Sequence, residues 1–492
     1  MSTIDLWDNS WHVKEPSDSA RDRYGRKPCP VTSFRGTKEI LCQLSSFTIS
    51  EMMDADEVNV IVWPQSFIEG FEAIKDQYIL RITEKHGNNI DSITTGNIVG
   101  FIGKGDTHIR IHSRFSAIDK EDKNKWNVKN DYFLIYMLEK VMAINLLDDL
   151  KTKSSSEKDR VFDLLIFFFP RLLKDALSQG LYKKYVYREY NDSNIRGVVD
   201  VNRHIRHNIP ANGRIAYRTR EFSYDNEVTQ LIRHTIEFIR SKLMAKQILH
   251  NDPDTESFVQ QIVQATPTFQ AQKRQVIINM NLRPVVHPYY TKYAALQNLC
   301  LRILRYDKLS YEAANDKKIH GLLIDAAWLW EEYIARVLSE RTNLKHYTWN
   351  NSNFHLFEDG KPFQRIIPDY YDEESKVVAD AKYMPLHLYD HLDADRATGV
   401  YYKTIMYMYR FNTKKGFLFY PYNNEEDNEN KSYSEYQIEG RTNCHLYEVG
   451  LEIEEIKDTA TDYTAFREKM VENEKVFVKK VINYIVGDSQ NY

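Results

Sequence analysis

Charged residues are set inside an otherwise apolar, β-prone stretch that runs from Ile366 to Tyr383. Two runs rich in β-branched and aromatic residues flank a polar stretch of acids, which is the pattern of a hairpin. We predict its strands over residues 365–371 and 376–383. A charge inside such a strand is costly to bury, so the fold has to provide partners for it.

The two strands of this hairpin predict a close pair of acids. Because side chains two residues apart on a strand share a face, Asp380 and Lys382 project together. If the turn is centred on Glu374 and Ser375, Asp369 lies directly opposite Asp380. Cross-strand partners have Cβ atoms about 4.5–5.5 Å apart, which lets two carboxylates share one divalent ion.

The residue types at this position predict metal-assisted hydrolysis of a phosphodiester. Two hard oxygen ligands suit Mg²⁺, which keeps several of its waters, and Mn²⁺ is the alternative ion. Such an ion activates a water and stabilises charge on the scissile phosphate. Lys382 beside it can orient the water, deprotonate it or stabilise the developing charge.

The pattern is common by composition, so an alternative stays open. An acid-x-Lys pair also occurs at Asp316/Lys318 and at Glu374/Lys376, and the second of these lies in the predicted turn. The alternative is a surface hairpin that carries an exposed ion pair. The apolar strand before Asp380 favours the site over that alternative.

A third acid lies on the helix predicted over residues 322–338. Glu331 falls on the apolar stripe of Ala327, Ile334 and Leu338 by helical spacing. A carboxylate on an apolar stripe needs a partner or a metal, so Glu331 is a candidate third ligand. The alternative is a Glu at the flank of a helix, paired with a nearby Lys or Arg.

Length and composition limit the class of protein. The 492 residues are too many for one core and carry a net charge of -4, so any nucleic-acid contact has to be local. We expect no membrane span and no signal peptide, because neither an apolar run of that length nor a basic-then-apolar start is present. Four scattered cysteines predict a reducing cytoplasm and no zinc site.

The chain is predicted to be a multidomain α+β protein. Residues 1–120 are β-rich, and residues 121–318 are mainly helical with a basic insert of strands and loops over 186–217. Residues 319–492 follow an α/β order of helix, central strands, helix and strand.

Four blocks follow one another along the chain: Ile195–Asp200, Glu221–Glu227, the helix motif Leu329–Ile334, and Pro368-Asp369 with Asp380-Ala381-Lys382-Tyr383. Together they resemble the McrC family. The resemblance is clear from about residue 190 to 410 and is faint before 130. The order and spacing of the blocks are more specific than any single block.

The resemblance implies the nuclease subunit of a McrBC-type 5-methylcytosine restriction system, used in antiviral defence. It implies a C-terminal PD-(D/E)XK endonuclease domain with Mg²⁺ at Asp369, Asp380 and Glu331, and Lys382 as a further catalytic residue. It also implies a McrB-like AAA+ GTPase hexamer, stimulated by contact with residues 1–120, and double-stranded DNA, methylated or not, as partners. The chain has no G-x-x-x-x-G-K-[ST] run, which agrees with an outside motor.

Two sets of residues are candidates for DNA contact. The helix after the lysine strand carries Gln-x-x-x-Tyr in the family, and here Lys403 replaces the Gln while Tyr407 matches. The stretch from residue 183 to 220, which contains the insert, holds nine Lys/Arg and three Asp/Glu, among them Arg196, Arg203 and Arg206. A solvated charged surface is the alternative for this insert.

Two other functions stay open. One is a catalytically silent adaptor that only stimulates the motor, and the other is a stand-alone repair nuclease. Asp369, Asp380 and Lys382 are all present, which favours an enzyme over the adaptor.

Overall fold

The computed structural model describes most of the chain. The described residues are 2–14, 28–31, 38–54, 58–64, 76–85, 89–104, 107–116, 131–142, 157–241, 246–250, 252–312, 319–349, 351–358, 360, 364–384, 394–423, 433–454 and 463–486. Among them, no helix combines the length and the apolar character needed to cross a membrane.

The first third of the chain is rich in strands, separated by short helices. The strands are β1 Ser2–Trp7, β2 Trp11–Val13, β3 Pro28–Pro30, β4 Val58–Trp63, β5 Leu80–Lys85, β6 Asn89–Thr95, β7 Ile98–Lys104 and β8 Thr107–His112. The helices are α1 Lys38–Ser45, α2 Ile49–Asp54 and α3 Tyr132–Met142.

The middle of the chain is mainly helical. Its helices are α4 Glu157–Leu177, α5 Val201–Asn208, α6 Glu227–Ser241, α7 Pro253–Ala265, α8 Arg274–Met280 and α9 Tyr293–Glu312, with 3-10 turns at Lys246–His250 and Ala271–Lys273. Its strands are β9 Lys184–Asp192, β10 Val198–Val199 and β11 Ile215–Ser223, which form one antiparallel sheet.

The last third alternates helices and strands. Its elements are β12 Ile319–Asp325, α10 Ala326–Ser339, β13 Lys345–His346, β14 Tyr370–Asp372, β15 Val377–Ala381, α11 Ala394–Arg410, β16 Lys415–Tyr422, β17 Tyr433–Gln437, β18 His445–Glu452 and α12 Tyr463–Val486. Helices and several sheets occur together, which confirms the predicted mixed α+β class.

The chain forms two compact units. The described residues up to 142 and from 319 onward make one unit, and those from 157 to 312 make the other. The predicted domain boundaries at 120 and 318 lie outside the described residues. The three-domain division and the role of residues 1–120 in partner contact therefore stay predictions.

The five-stranded sheet of the first unit takes one strand from the C-terminal third. Its order is β1-β8-β7-β12-β4, so β12 lies between two strands of the N-terminal third. The helix predicted from Leu322 is wrong at its start, because residues 319–325 are a strand. A short apolar run fits a buried strand as well as a helix, and only the neighbouring strands decide. Gly321 is needed here, since a Cβ would lie 2.5 Å from the Phe101 carbonyl oxygen.

Asp325 turns this strand into the helix that carries Glu331. Its carboxylate accepts hydrogen bonds from the backbone N–H groups of Ala327 at 2.9 Å and Trp328 at 3.2 Å, which caps α10. The N–H of Ala326 donates to the carbonyl of Asn97 at 2.8 Å. The start of α10 is thus fixed to the N-terminal sheet.

The six-stranded sheet of the same unit contains the predicted hairpin. Its order is β13-β14-β15-β16-β18-β17, with β15, β16 and β18 parallel. The strand β16 is a continuous apolar run that is buried along nearly its whole length, as expected for a central parallel strand. The two hairpin strands are shorter than predicted, at 370–372 and 377–381.

The insert of the middle region contains a helix that the sequence did not predict. Residues 201–208 form α5, although strands and loops were predicted over 186–217. Asp200 caps this helix by accepting a hydrogen bond from the N–H of Arg203 at 3.2 Å. Pro210 and Gly213, which suggested a loop, lie after the end of the helix.

The cap residue Asp325 makes the stability of this junction depend on pH. Burial raises the pKa of its carboxyl from 3.8 to about 7, against the effect of its two backbone hydrogen bonds. Because the pKa in the folded chain lies above the unfolded value, its contribution to stability is complete below about pH 4 and is lost as the pH rises to about 7.

We expect Asp325→Asn to remove the pH-dependent contribution of this carboxyl group to stability. The Asn side chain keeps an oxygen acceptor for the cap but does not titrate. Between pH 5 and 6.5 the fall of the free energy of unfolding with pH should become shallower by up to about 1.4 kcal/mol per pH unit. Urea unfolding at several pH values measures the slope. A variant with the slope of the wild type would contradict the assignment.

Candidate active site

The hairpin has the register that the sequence predicts. Tyr370 pairs with Ala379 and Asp372 with Val377, so the turn lies over residues 373–376. The next pair outward along this register is Asp369 with Asp380. The N–H of Ala381 donates to the Asp369 carboxylate at 2.7 Å, which fixes the first acid against the second strand.

Asp380 lies at the centre of the site and is fully buried. One of its oxygens, Oδ2, accepts a hydrogen bond from the Lys382 ammonium. The other, Oδ1, has no nitrogen donor and lies 3.8 Å from Nζ of Lys403. A buried carboxylate oxygen without such a donor is unusual, and the side chain that forms a further hydrogen bond with Asp380 is the neighbouring acid Asp369.

The two acids differ in their protonation. Burial raises the pKa of Asp369 well above its usual range, and the negative charges of Asp380 and Glu331 raise it further. Burial also acts to raise the pKa of Asp380, but Lys382 and Lys403 outweigh it and set the value at about 2. Without a bound cation, ionisation of both carboxyl groups is therefore disfavoured, and Asp380 is the more acidic member of the pair.

Lys382 keeps its charge in this arrangement. Burial acts to lower its pKa, but the carboxyl groups of Asp380 and Asp369 outweigh it and raise the pKa above 10.5. An ammonium group cannot accept a proton. The geometry therefore favours charge stabilisation or water orientation by Lys382 over the role of a general base.

Glu331 lies beside the acid pair but bonds elsewhere. Its carboxylate is 2.9 Å from Nε2 of His346, and its backbone carbonyl accepts a hydrogen bond from the Tyr370 hydroxyl. Burial acts to lower the pKa of His346, but the hydrogen bond to Glu331 outweighs it and raises the pKa. The partner of this helix-flank acid is thus a histidine, where a Lys or Arg was the alternative.

The predicted three-acid site is assembled only in part. Among the described residues, no three His, Cys, Asp or Glu side chains stand close enough together to hold a metal ion. The structure brings together Asp369, Asp380 and Lys382, with Glu331 held by His346. His346 was missed by sequence reasoning, because only the pairing of β13 with β14 brings it to the site.

The helix α11 places Lys403 and Tyr407 next to the acid pair. The Tyr407 hydroxyl donates to the carbonyl of Ile367 at 2.7 Å, so it supports the segment that leads to Asp369. Nζ of Lys403 lies 5.4 Å from the centre of the Tyr407 ring. Both residues thus belong to the site, although their contact with DNA stays a prediction.

The three arginines of the basic insert lie in the other compact unit. Arg196 pairs with Asp192 at 3.2 Å and donates to the Tyr217 hydroxyl at 2.9 Å. Arg203 lies 3.4 Å from Glu189. These ion pairs fit a solvated charged surface. Arg206 is exposed on α5.

The family model of the McrBC 5-methylcytosine restriction system component matches residues 93–421. This is about two thirds of the 492 residues and includes every residue of the site. The chain belongs to this McrBC family. The resemblance to McrC proteins is thereby confirmed, and the chain is a restriction-system component.

Solved structures of McrBC assemblies are similar over much of the chain. One is a refined half-complex from the tetradecameric assembly of Thermococcus gammatolerans McrB AAA+ hexamers with bound McrC. The match has 15% sequence identity, covers 96% of this chain and 100% of that chain, and has a TM-score of 0.42. Another is the T. gammatolerans McrBC complex, with 14% identity, 69% and 87% covered, and a TM-score of 0.27. No curated protein matches. The family assignment rests on the sequence match.

Divalent-cation binding by this McrBC-family chain should depend on the acid pair. We expect Asp369→Asn or Asp380→Asn to weaken Mg²⁺ binding by about tenfold or more, because each removes a carboxylate from the buried pair. Glu331→Gln should change it by less than about threefold, since that carboxylate bonds to His346.

Calorimetric titration of the full chain with Mg²⁺ measures these affinities. The buried hairpin acid Asp372 provides the matched control Asp372→Asn, because it lies outside the site and accepts hydrogen bonds within the turn. Equal weakening by Glu331→Gln and Asp380→Asn would show that Glu331 is a third ligand.

Lys403 should compete with a bound cation. Its ammonium lies 3.8 Å from Oδ1 of Asp380 and is 46% exposed, so its repulsion of a cation is partly screened. We expect Lys403→Gln to strengthen Mg²⁺ binding by about two- to tenfold at low salt. Lys403→Arg keeps the charge and is the control. Unchanged affinity in the Gln variant would contradict this competition.

Proposed function

We propose that this chain is the endonuclease subunit of a McrBC-type DNA restriction system and hydrolyses DNA phosphodiesters with Mg²⁺. The observation that carries the proposal is the buried pair Asp369 and Asp380 with Lys382 bonded to it, inside a segment matched by the family model. The arrangement of hairpin, parallel strand and flanking helices around these residues supports a PD-(D/E)XK nuclease domain.

The residues present fit a divalent cation. Two buried carboxyl groups meet, the charge of one disfavours ionisation of the other, and Oδ1 of Asp380 has no nitrogen donor. Oxygen ligands in this number suit Mg²⁺, which keeps most of its waters, and Mn²⁺ fits the same ligands. When bound, such an ion would supply a water of lowered pKa and a positive charge beside the phosphate.

The chain's own groups then have distinct tasks. Asp369 and Asp380 would hold the ion, which requires both carboxyl groups to be ionised. The Lys382 ammonium, fixed on Asp380, can stabilise negative charge that develops on the phosphate. Tyr407 holds the Ile367 carbonyl and so keeps Asp369 in register. Lys403 is placed to contact a phosphate oxygen.

We infer that cleavage is directed by a McrB-like AAA+ GTPase hexamer, whose NTP hydrolysis this chain stimulates, in the cytoplasm. Family membership supports this partner, and the sequence has no phosphate-binding loop of its own. Double-stranded DNA, methylated or not, would be the substrate.

The test is plasmid cleavage by the full chain with a McrB-like AAA+ GTPase from the same organism, Mg²⁺ and GTP. We expect Asp380→Asn to lower the rate by at least about a hundredfold, because it removes a cation ligand and the counter-charge of Lys382. Asp372→Asn, in the same hairpin, should cut at the rate of the wild type.

Three other outcomes would be informative. Cleavage by Asp380→Asn at the wild-type rate would contradict the site. A wild type that stimulates GTP hydrolysis without cutting any DNA would establish the adaptor. Cutting that needs no partner would establish a stand-alone nuclease.

A further inference from the structure

The chain leaves the six-stranded sheet directly after Lys382, and two different elements hold it there. The N–H of Lys382 donates to the carbonyl of Phe419 on β16 at 2.7 Å. One residue later, the Tyr383 carbonyl accepts a hydrogen bond from Nη2 of Arg114. Nη1 of Arg114 lies 2.7 Å from Sδ of Met384. The backbone on both sides of the Lys382 side chain is therefore fixed.

Arg114 makes this contact in a way that a lysine could not. Its guanidinium carbon lies 4.4 Å from the centre of the Tyr383 ring and 4.6 Å from that of Phe115. A planar guanidinium can stack on rings while two of its nitrogens point at two acceptors. An ammonium group is not planar, and it does not hold two N–H donors in the fixed arrangement that reaches both acceptors.

The backbone around Arg114 is itself tied down by buried acids. The N–H of Arg114 donates to Oδ1 of Asp8, and that of Ser113 donates to Oδ2 of Asp131 at 3.0 Å. Both acids are almost completely buried. Residues 113–115 follow β8, so the position of Arg114 is set by the N-terminal sheet.

A row of rings connects the same segment to the helix that carries Glu331. The ring centres of Phe115 and Phe133 are 5.2 Å apart, and those of Phe133 and Trp330 are 6.4 Å apart. Nε1 of Trp330 donates to the Phe419 carbonyl at 3.2 Å, the same carbonyl that receives the N–H of Lys382. The contacts of the N-terminal segment thus reach both the backbone next to Lys382 and the helix that carries Glu331.

We propose that Arg114 is a positioning residue that holds Lys382 against Asp380 by fixing the Tyr383 backbone. The expected effect on cleavage rests on the proposed nuclease function, whereas the effect on the position of Lys382 does not depend on it. If Arg114 is lost, the Tyr383 carbonyl loses its donor, while the Phe419 contact of Lys382 and the ring contact between Tyr383 and Phe115 remain. The lysine then leaves Asp380 for part of the time, and cleavage slows although the acids and the substrate contacts remain.

The position of Lys382 can be measured without any cleavage. In the full chain the Lys382 side chain is 24% exposed and bonded to Asp380, so an amine-reactive reagent should label it slowly. We expect Arg114→Gln to speed the labelling of Lys382 by about fivefold or more, as quantified by mass spectrometry. Lys104, which pairs with Glu39, is the internal reference and should keep its rate.

Two variants separate positioning from general loss of stability. Arg110→Gln removes another arginine of the N-terminal sheet, one that pairs with Asp5 at 2.7 Å, and it should leave the Lys382 rate unchanged. Arg114→Lys keeps the charge but loses the fork and the stacking, so it should behave like Arg114→Gln. If Arg114→Gln does not fold, Arg114→Lys provides the same test.

Cleavage gives a second readout. We expect Arg114→Gln to lower kcat by about tenfold or more with KM nearly unchanged, because DNA contacts persist while Lys382 is misplaced. Unchanged labelling of Lys382 in a folded Arg114 variant, or an equal rise in Arg110→Gln, would overturn the inference. A wild type that cuts no DNA would refute the proposed function alone, since labelling still decides the role of Arg114.

Discussion

Two carboxyl groups that meet in a buried position set the conditions for the rest of the site. Asp369 and Asp380 cannot both be ionised there without positive charge nearby, and Lys382 and Lys403 supply it on one side. Burying charges is unfavourable unless the partners are held in place. The parallel strands, the tight turn and the α11 helix provide that fixed geometry.

The features that the sequence predicted well are local ones. The register of Asp369 and Asp380 follows once the turn is assumed to be centred on Glu374 and Ser375, and the observed pairing has that register. The mixed α+β class likewise followed from short-range patterns. The position of Lys403 near the acids agrees with the helix motif of the family, in which a Gln stands at that place.

What the sequence did not predict depends on contacts between distant segments. Residues 319–325 are a strand because β4 and β7 lie on both sides, and their own apolar pattern also fits a helix. His346 meets Glu331 through the pairing of β13 with β14. Arg114 reaches Tyr383 across 269 residues, a distance at which no spacing rule applies. In each case tertiary packing decides, and one sequence without its homologues does not show that packing.

The place of β12 in the N-terminal sheet has a consequence for synthesis. Among the described strands of this sheet, β12 is the one that pairs with β4, and it begins at Ile319, long after β4 has left the ribosome. Until then the edge of β7 that faces β12 and the apolar strand β4 lack their partner, and unpaired edges of this kind invite association with other chains. The middle unit is made during this interval. The growing chain must therefore carry an incomplete sheet through about half of its translation, which is the interval in which a chaperone that shields strand edges would bind.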